Sequence, residues 1–331
     1  MNISCTFELT KMLSAEKFNK LLGQVVTRGD YSSYQDSDTY VDYTMAHKGI
    51  TVIYHDKPHK KKITITLIPG CVIGNDKPNK NIVSKQFRKF EEYVYEYFCS
   101  KYHIDDFYLS RMTCKCDIDV NNHKRVAAYI KVLRKIGKVK GFVPINNDLL
   151  DDNMNFYLFG KSNGIEFSIY DLEGILREQL GEVNSDRKKL KLLADKAEGI
   201  LRVEVILTES KAIRTYTDET VVSRQINDLQ KENQRIFLDT FMRIIPFGDF
   251  YKKNEAVELI MREITERMLK RRMVRLLELV PEKKSLLLAQ KALNYRRVDD
   301  VMKAFANVEL SPVTISKRHN VRKLNNLYKY M

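Results

Sequence analysis

The sequence has no apolar run approaching the ~18 residues needed to cross a bilayer, and its first residues, MNISCTFELTK, lack the basic-then-apolar order of a secretion signal. A membrane-spanning protein and a membrane partner are therefore not expected. Cysteine is sparse: Cys5, Cys71, Cys99, Cys114 and Cys116 are the five, an odd number without regular spacing. That excludes a disulfide framework and points to reduced, mostly buried thiols, as in a cytoplasmic protein. Cys114-x-Cys116 is half of a metal-binding pattern, with no second pair to complete it. Histidine is sparse too: His47, His55 and His59 fall close together, His103, His123 and His319 are scattered, and no His-x-His pair occurs. This argues against a His-rich metal site. No low-complexity tract or tandem repeat interrupts the chain.

What is present is length, a core and positive charge. The chain has 331 residues, enough for two domains, and 44% of them are hydrophobic, enough to bury a full core. The formal net charge is +14. A strongly basic protein most often meets a polyanion, the plain alternative being a solvated basic surface. The charge is concentrated: residues 251–331 hold nineteen Lys and Arg against nine Asp and Glu. A basic C-terminal segment is a better nucleic-acid signal than a basic average.

Along the chain, Ile3, Cys5, Phe7 and Leu9 alternate as one face of a strand. A short helix follows Ser14, with Phe18, Leu21 and Leu22 inward. Residues 49–55 (GITVIYH) and 61–68 (KKITITLI) form a hairpin around DKPHK, Pro69-Gly70 stops the second strand, and residues 75–81 (NDKPNKN) make a polar loop. Aromatic residues at helical spacing mark a helix over 82–102, a strand covers 109–119, and a second helix over 126–136 ends at Gly137. Residues 155–160 and 165–171 read as a hairpin around KSNG, a charged helical stretch covers 173–196, and a last strand covers 200–207. Helices flanking strands that need not be parallel predict an α+β fold, a largely antiparallel sheet covered by helices on one face. After about Thr215 the pattern is helical: residues 218–245, 255–280, 286–293, 298–305 and 311–330. The expected division is an α+β domain over 1–215 and an all-α basic domain over 216–331.

Three strands carry the chemistry. In LSRMTCKCDID, IEFSIYD and ILRVEVIL apolar and polar residues alternate. The polar faces show Arg111, Thr113, Lys115 and Asp117, then Glu166, Ser168 and Tyr170, then Arg202 and Glu204. If the strands share a sheet, its open face has a phenol, carboxylates and cations on it. Tyr170 is the candidate nucleophile. A phenol titrates near pH ~10 and needs help at neutral pH, from a divalent metal or from cations such as Arg111, Lys115 or Arg202. Glu204, two residues after Arg202, is a candidate ligand for Mg²⁺ or Mn²⁺, and Asp117 a second; a surface ion pair is the plainer reading of Glu204, and a loop cap at the strand end that of Asp117.

These motifs, in this order, resemble the rolling-circle replication initiators, especially the filamentous-phage initiators and the related plasmid initiators. The similarity covers most of residues 50–207. It rests on KITITLIPGCVIG at 62–74, Ser110-Arg111-Met112-Thr113, YLFGKSNGIEFSIYDL at 157–172 and LRVEV at 201–205. The resemblance implies a nicking-endonuclease-like domain with Tyr170 as the nicking tyrosine and Glu204 in the metal site. Three positions depart from the family: Thr113 stands where it usually has Asp, Ser168 where it has Arg, and Leu172 where it has Lys. Asp117, four residues from Thr113 on the same face and about 13 Å away by strand rise, cannot replace the missing Asp.

In the C-terminal third, SPVTISKR at 311–318 starts a basic helix behind the shorter helix at 298–305, which suits a helix-turn-helix reader of DNA, or else a basic helical bundle. Lys317, Arg318 and Arg322, with Lys115 on the sheet, are the expected DNA contacts. The expected function is replication initiation on a plasmid or phage: origin DNA is bound, single- and double-stranded, and one strand is nicked by Tyr170, with host replication proteins as further partners. The alternative keeps the fold without the catalysis, as an origin-binding or regulatory protein. A third reading, RNA binding through stacked aromatics, fits less well, because the aromatics follow core periodicity.

Overall fold

The structure is a computed structural model that describes residues 3–28, 31–33, 38–72, 84–144, 155–182 and 187–331. Its strands are β1 (Ile3–Met12), β2 (Tyr31–Ser33), β3 (Thr39–Asp42), β4 (Ile50–Lys57), β5 (Lys60–Leu67), β6 (Tyr108–Asp119), β7 (Phe142–Pro144), β8 (Asn155–Gly160), β9 (Ile165–Asp171) and β10 (Ile200–Leu207). They form one 10-stranded sheet in the order β2-β3-β4-β5-β1-β6-β10-β9-β8-β7, with every pairing antiparallel. Between and after them run α1 (Ala15–Arg28), α2 (Pro69–Val72), α3 (Ser84–Tyr97), α4 (His123–Leu133), α5 (Leu172–Glu182), α6 (Arg187–Lys196) and α7 (Ser210–Arg214). The remaining helices are α8 (Val222–Lys231), α9 (Asn233–Ile244), α10 (Lys253–Glu263), α11 (Arg267–Lys283), α12 (Leu286–Ala292) and α13 (Val298–Asn307). The protein is thus α+β, with a large antiparallel sheet and a helical C-terminal part.

The alternation read from the sequence decides which face is covered. Cys5, Phe7 and Leu9 of β1, Met112, Cys114 and Cys116 of β6, Phe167 and Ile169 of β9, and Leu201, Val203 and Val205 of β10 are all buried. Each such side chain contributes roughly 1.5–3 kcal/mol when it leaves water, so a one-residue slip of any central strand would turn a whole row outward. Helices close this face: the Phe241 ring of α9 lies 6.2 Å from that of Phe167 on β9, and α4 buries Val126, Tyr129 and Ile130. The thiols of Cys5 and Cys114 face each other at 4.0 Å inside it, while Cys99 is exposed.

The core does not stop at residue 215. Its buried residues run from Ile3 to Leu327 as one cluster. The Tyr129 hydroxyl donates to the Asn325 carbonyl at 2.8 Å, and Lys135 Nζ to the Thr314 carbonyl at 2.6 Å. The expected boundary falls between α7 and α8, within this continuous core.

Several expected elements differ in detail. The helix expected over 218–245 is two, α8 and α9, divided at Glu232, and the one expected over 255–280 is α10 and α11, divided where Ile264 and Glu266 are extended. The C-terminal part also contains a short antiparallel ribbon of β11 (Phe250–Tyr251) and β12 (Lys323–Leu324). The basic helix expected from Ser311 is absent. Residues 311–318 contain no helix; Val313 and Ile315 are buried, and the Ile315 amide donates to the Tyr251 carbonyl at 2.8 Å. Pro312 has no amide proton and Val313, Thr314 and Ile315 are β-branched, so the segment lies down beside β11 in extended form. The helix-turn-helix reading is corrected accordingly. The polar loop expected at 75–81 lies outside the described residues. Among the described residues, no helix is long and apolar enough to cross a membrane.

A candidate active site on the open face of the sheet

The strand registers place the polar residues side by side. Lys115 pairs with Ser4 on one side and Glu204 on the other, and Glu204 pairs in turn with Ser168, which pairs with Tyr157. One row away, Asp117 pairs with Arg202, Arg202 with Tyr170, and Tyr170 with Asn155. Directly paired residues share a face of an antiparallel sheet. The three strands that carry the candidate residues are therefore adjacent, β6-β10-β9, and form a continuous polar floor.

At its centre the Tyr170 hydroxyl donates to Glu204 Oε1 at 2.8 Å, and Lys115 Nζ lies 3.4 Å from the same oxygen. The Glu204 side chain is 13% exposed. Burial, and then the Glu204 charge, push the Tyr170 phenol well above its ordinary value, while Arg202 pulls it back. The resting phenol is protonated and aimed at a carboxylate able to take its proton.

The cations around it are held in place. Arg202 grips Asp117 with two bonds, Nε to Oδ1 at 2.7 Å and the second terminal nitrogen to Oδ2 at 2.8 Å. The fork-to-fork geometry of that pair raises the already basic guanidinium further, against the cost of its burial. Arg111 donates to Glu166 Oε2 at 3.2 Å. Glu166 also accepts from Tyr157, whose phenol is pushed up by burial and by that bond.

The expected metal ligands are not gathered into a group. Both oxygens of Asp117 are engaged by Arg202, and Thr113, the position that departs from the family, is a buried hydroxyl on the same floor. Glu204 is the carboxylate beside Tyr170. Mg²⁺ is commonly held by one or two carboxylates together with substrate phosphates and water. Glu204 fits that role for an ion arriving with a phosphate group, and Asp117 does not while Arg202 holds it.

The other two departures separate. Ser168 sits directly between Glu204 and Tyr157, so the floor has no cation there. Leu172 is buried at the start of α5, in the helix and not among the strand positions of the floor. A different group was not legible in the sequence: His123, Asp171 and Glu173 bring ligand atoms within 4.8 Å of one another and are able to hold a divalent metal. They are 48 and two residues apart in the chain, which is why no linear motif announced them.

Some of the C-terminal cations are paired. Asp249, 4% exposed, accepts from Lys323 at 2.7 Å and lies 3.2 Å from Lys329, and these bonds hold its carboxyl below the ordinary range. Lys253 and Arg275 share Glu278, and Arg297 pairs with Asp300. Lys317, Arg318 and Arg322 are exposed and make no ion pair among the described residues. They lie in the irregular segment between Ile315 and β12, remote in sequence from the floor.

No protein-family model matches the chain, and no curated protein matches it. Among solved structures it is similar to a rolling circle replication initiator protein from Geobacillus stearothermophilus, with 13% identity and a TM-score of 0.29, over 95% of this chain and 99% of that one. So loose a likeness carries no argument for function.

Proposed function

We propose that the protein is a replication initiator that binds origin DNA, nicks one strand through Tyr170 and thereby starts rolling-circle replication of a plasmid or phage. The observation that supports this most is the 2.8 Å bond from the Tyr170 hydroxyl to Glu204 on an open sheet face, with Lys115 and Arg202 beside it. In the proposed step Tyr170 Oη attacks a phosphodiester phosphorus, and its proton passes to Glu204. The bond from phosphorus to the 3′ oxygen breaks, and that oxygen takes a proton from water. The products are a 5′-phosphotyrosine, which conserves the energy of the broken ester for rejoining, and a free 3′ hydroxyl, the end a polymerase extends.

Arg111, Lys115 and Arg202 serve the negative charge that grows on the phosphate. Glu204 would hold Mg²⁺ or Mn²⁺, and the ion would supply Lewis-acid polarisation of the ester. Lys317, Arg318 and Arg322 bind phosphates of the origin duplex. Removing all three by alanine substitution is expected to lower the log–log salt slope of DNA binding by about 1 for each phosphate no longer neutralised. Host replication proteins are the expected partners downstream of the nick.

The test is nicking of supercoiled DNA carrying the element's origin, in Mn²⁺ and in Mg²⁺, with capture of the covalent adduct on a denaturing gel. Tyr170→Phe is expected to abolish the adduct, and Glu204→Gln to slow its formation by ~10²–10⁴-fold, the usual weight of a positioned base. An adduct that survives Tyr170→Phe removes the assignment.

One set of observations favours a second reading, an origin-binding protein without nicking. At positions 113 and 168 the floor carries hydroxyls in place of an acid and a cation, and Tyr170 is less acidic than an ordinary phenol. Origin binding at nanomolar affinity with no adduct in either metal selects it.

A further inference from the structure

On the helix-covered side of β9, directly behind Tyr170, three metal-ligating side chains converge from three different elements. Asp171 ends β9 and pairs across the sheet with Leu201, a core residue, so it points away from the floor. His123 is the first residue of α4, and Glu173 lies in the first turn of α5. His123 Nδ1 is 3.2 Å from Asp171 Oδ2 and 4.0 Å from Glu173 Oε2.

We propose that His123, Asp171 and Glu173 hold one divalent transition-metal ion through His123 Nδ1, Asp171 Oδ2 and Glu173 Oε2. The site goes beyond the nicking reading and stands whether or not Tyr170 cuts DNA.

Two features of the cluster support it. The first is spacing. Ligand atoms about 2.1 Å from a common tetrahedral ion lie roughly 3.4 Å from one another, and the distances from the imidazole nitrogen, 3.2 and 4.0 Å, straddle that value.

The second is how each carboxylate is oriented. Asp171 uses its other oxygen, Oδ1, to accept from the Gly174 amide at 3.2 Å, and Glu173 uses Oε1 to accept from Arg177 Nε at 2.7 Å. Each acid thus has one oxygen tied to an orienting partner and the other turned toward His123, the outer-shell arrangement that fixes metal ligands. The backbone that carries His123 is fixed as well. Asn122 caps α4 by accepting from the Arg125 amide at 2.9 Å, and Asp119 accepts from the Asn121 amide at 2.8 Å. The Asp171 side chain is 4% exposed and that of His123 is 62% exposed, so the ion has a buried anchor and an open side for water.

One imidazole with two carboxylates suits Zn²⁺ or Mn²⁺ better than Ca²⁺, which prefers six to eight oxygens. Bound there, the ion ties the end of the Tyr170 strand to the first turns of α4 and α5.

The experiment is isothermal titration of the full-length, chelator-treated protein with ZnCl₂ and, separately, MnCl₂, joined to thermal unfolding with and without one equivalent of each. The expected result is a single site and a rise in the unfolding midpoint. Both are weakened at least tenfold in affinity or lost in His123→Ala and in Glu173→Gln, and both are retained in Glu204→Gln. Circular dichroism confirms that each variant is folded, and the conservative Glu173→Gln keeps the test meaningful if His123→Ala is not. No binding of either ion, unchanged binding in a folded His123→Ala or Glu173→Gln, or loss in Glu204→Gln overturns the site. In the first case His123 is a plain ion-pair partner of the two acids, and in the last the metal belongs to the floor. Because these readouts involve no DNA, failure here leaves the nicking test standing, and the reverse holds too.

Discussion

Coupling between Tyr170 and Glu204 can be measured without any DNA. Tyr170→Phe keeps the ring and removes only the hydroxyl that donates to Glu204 at 2.8 Å. Glu204→Gln keeps the shape and removes the charge, and with it the attraction to Lys115 at 3.4 Å. A hydrogen bond to a charged group contributes about 1.5–3 kcal/mol. The Glu204 side chain is 13% exposed and its partner Lys115 32%, and Lys115 remains to satisfy the acid when the phenol is gone. The pairwise term should therefore sit toward the low end, at about 1–2 kcal/mol. The assay is urea unfolding of the parent, both single variants and the double variant, followed by circular dichroism, with the coupling taken from the closed cycle. The double variant should be more stable than the two single losses added together would make it. A coupling below ~0.5 kcal/mol, the level at which separate sites add, refutes the bond and with it the poised nucleophile.

Two further outcomes follow from other parts of the sheet. His55 is held down to about 4, by burial first and then by Lys62 and Lys57. The unfolded chain binds a proton there below pH ~6.5 while the folded one does not until about 4, so this contribution to stability is present above 6.5 and is lost as the pH falls toward 4. His55→Gln should flatten the fall in urea midpoint between pH 7 and 4.5, and an unchanged slope contradicts the assignment. Gly199 has φ +77° and a Cβ there would meet the Asn122 amide nitrogen at 2.7 Å, a backbone contact that cannot swing aside. Gly199→Ala should cost more than ~1 kcal/mol in the same unfolding assay, and a neutral result would mean that the loop into α4 is not held against β10.

Much of the site was legible because a strand's side chains alternate with a period of two. Once β6, β9 and β10 are strands, Arg111, Lys115, Tyr170, Arg202 and Glu204 must lie opposite Met112, Cys114, Ile169, Leu201 and Val203, whatever the tertiary structure. The same rule found the β4–β5 hairpin. Helices were legible by their apolar spacing but not by their ends, since the breaks at Glu232 and at 264–266 have no proline or glycine to mark them. The segment at 311–318 was misread because its basic residues resemble a recognition helix, while its β-branched run lies against β11 in extended form.

The sequence by itself determined the faces of the strands, the apolar core they bury and the excess of positive charge, because each depends on residue type and local period alone. Only the tertiary structure decided that β9, β10 and β6 are neighbours, that Asp117 is closed by Arg202 and Lys323 and Lys329 by Asp249, and that His123 meets Asp171 and Glu173. Those are contacts between residues far apart in the chain, and they are set by sheet order and helix docking, for which no local pattern in the sequence is a proxy.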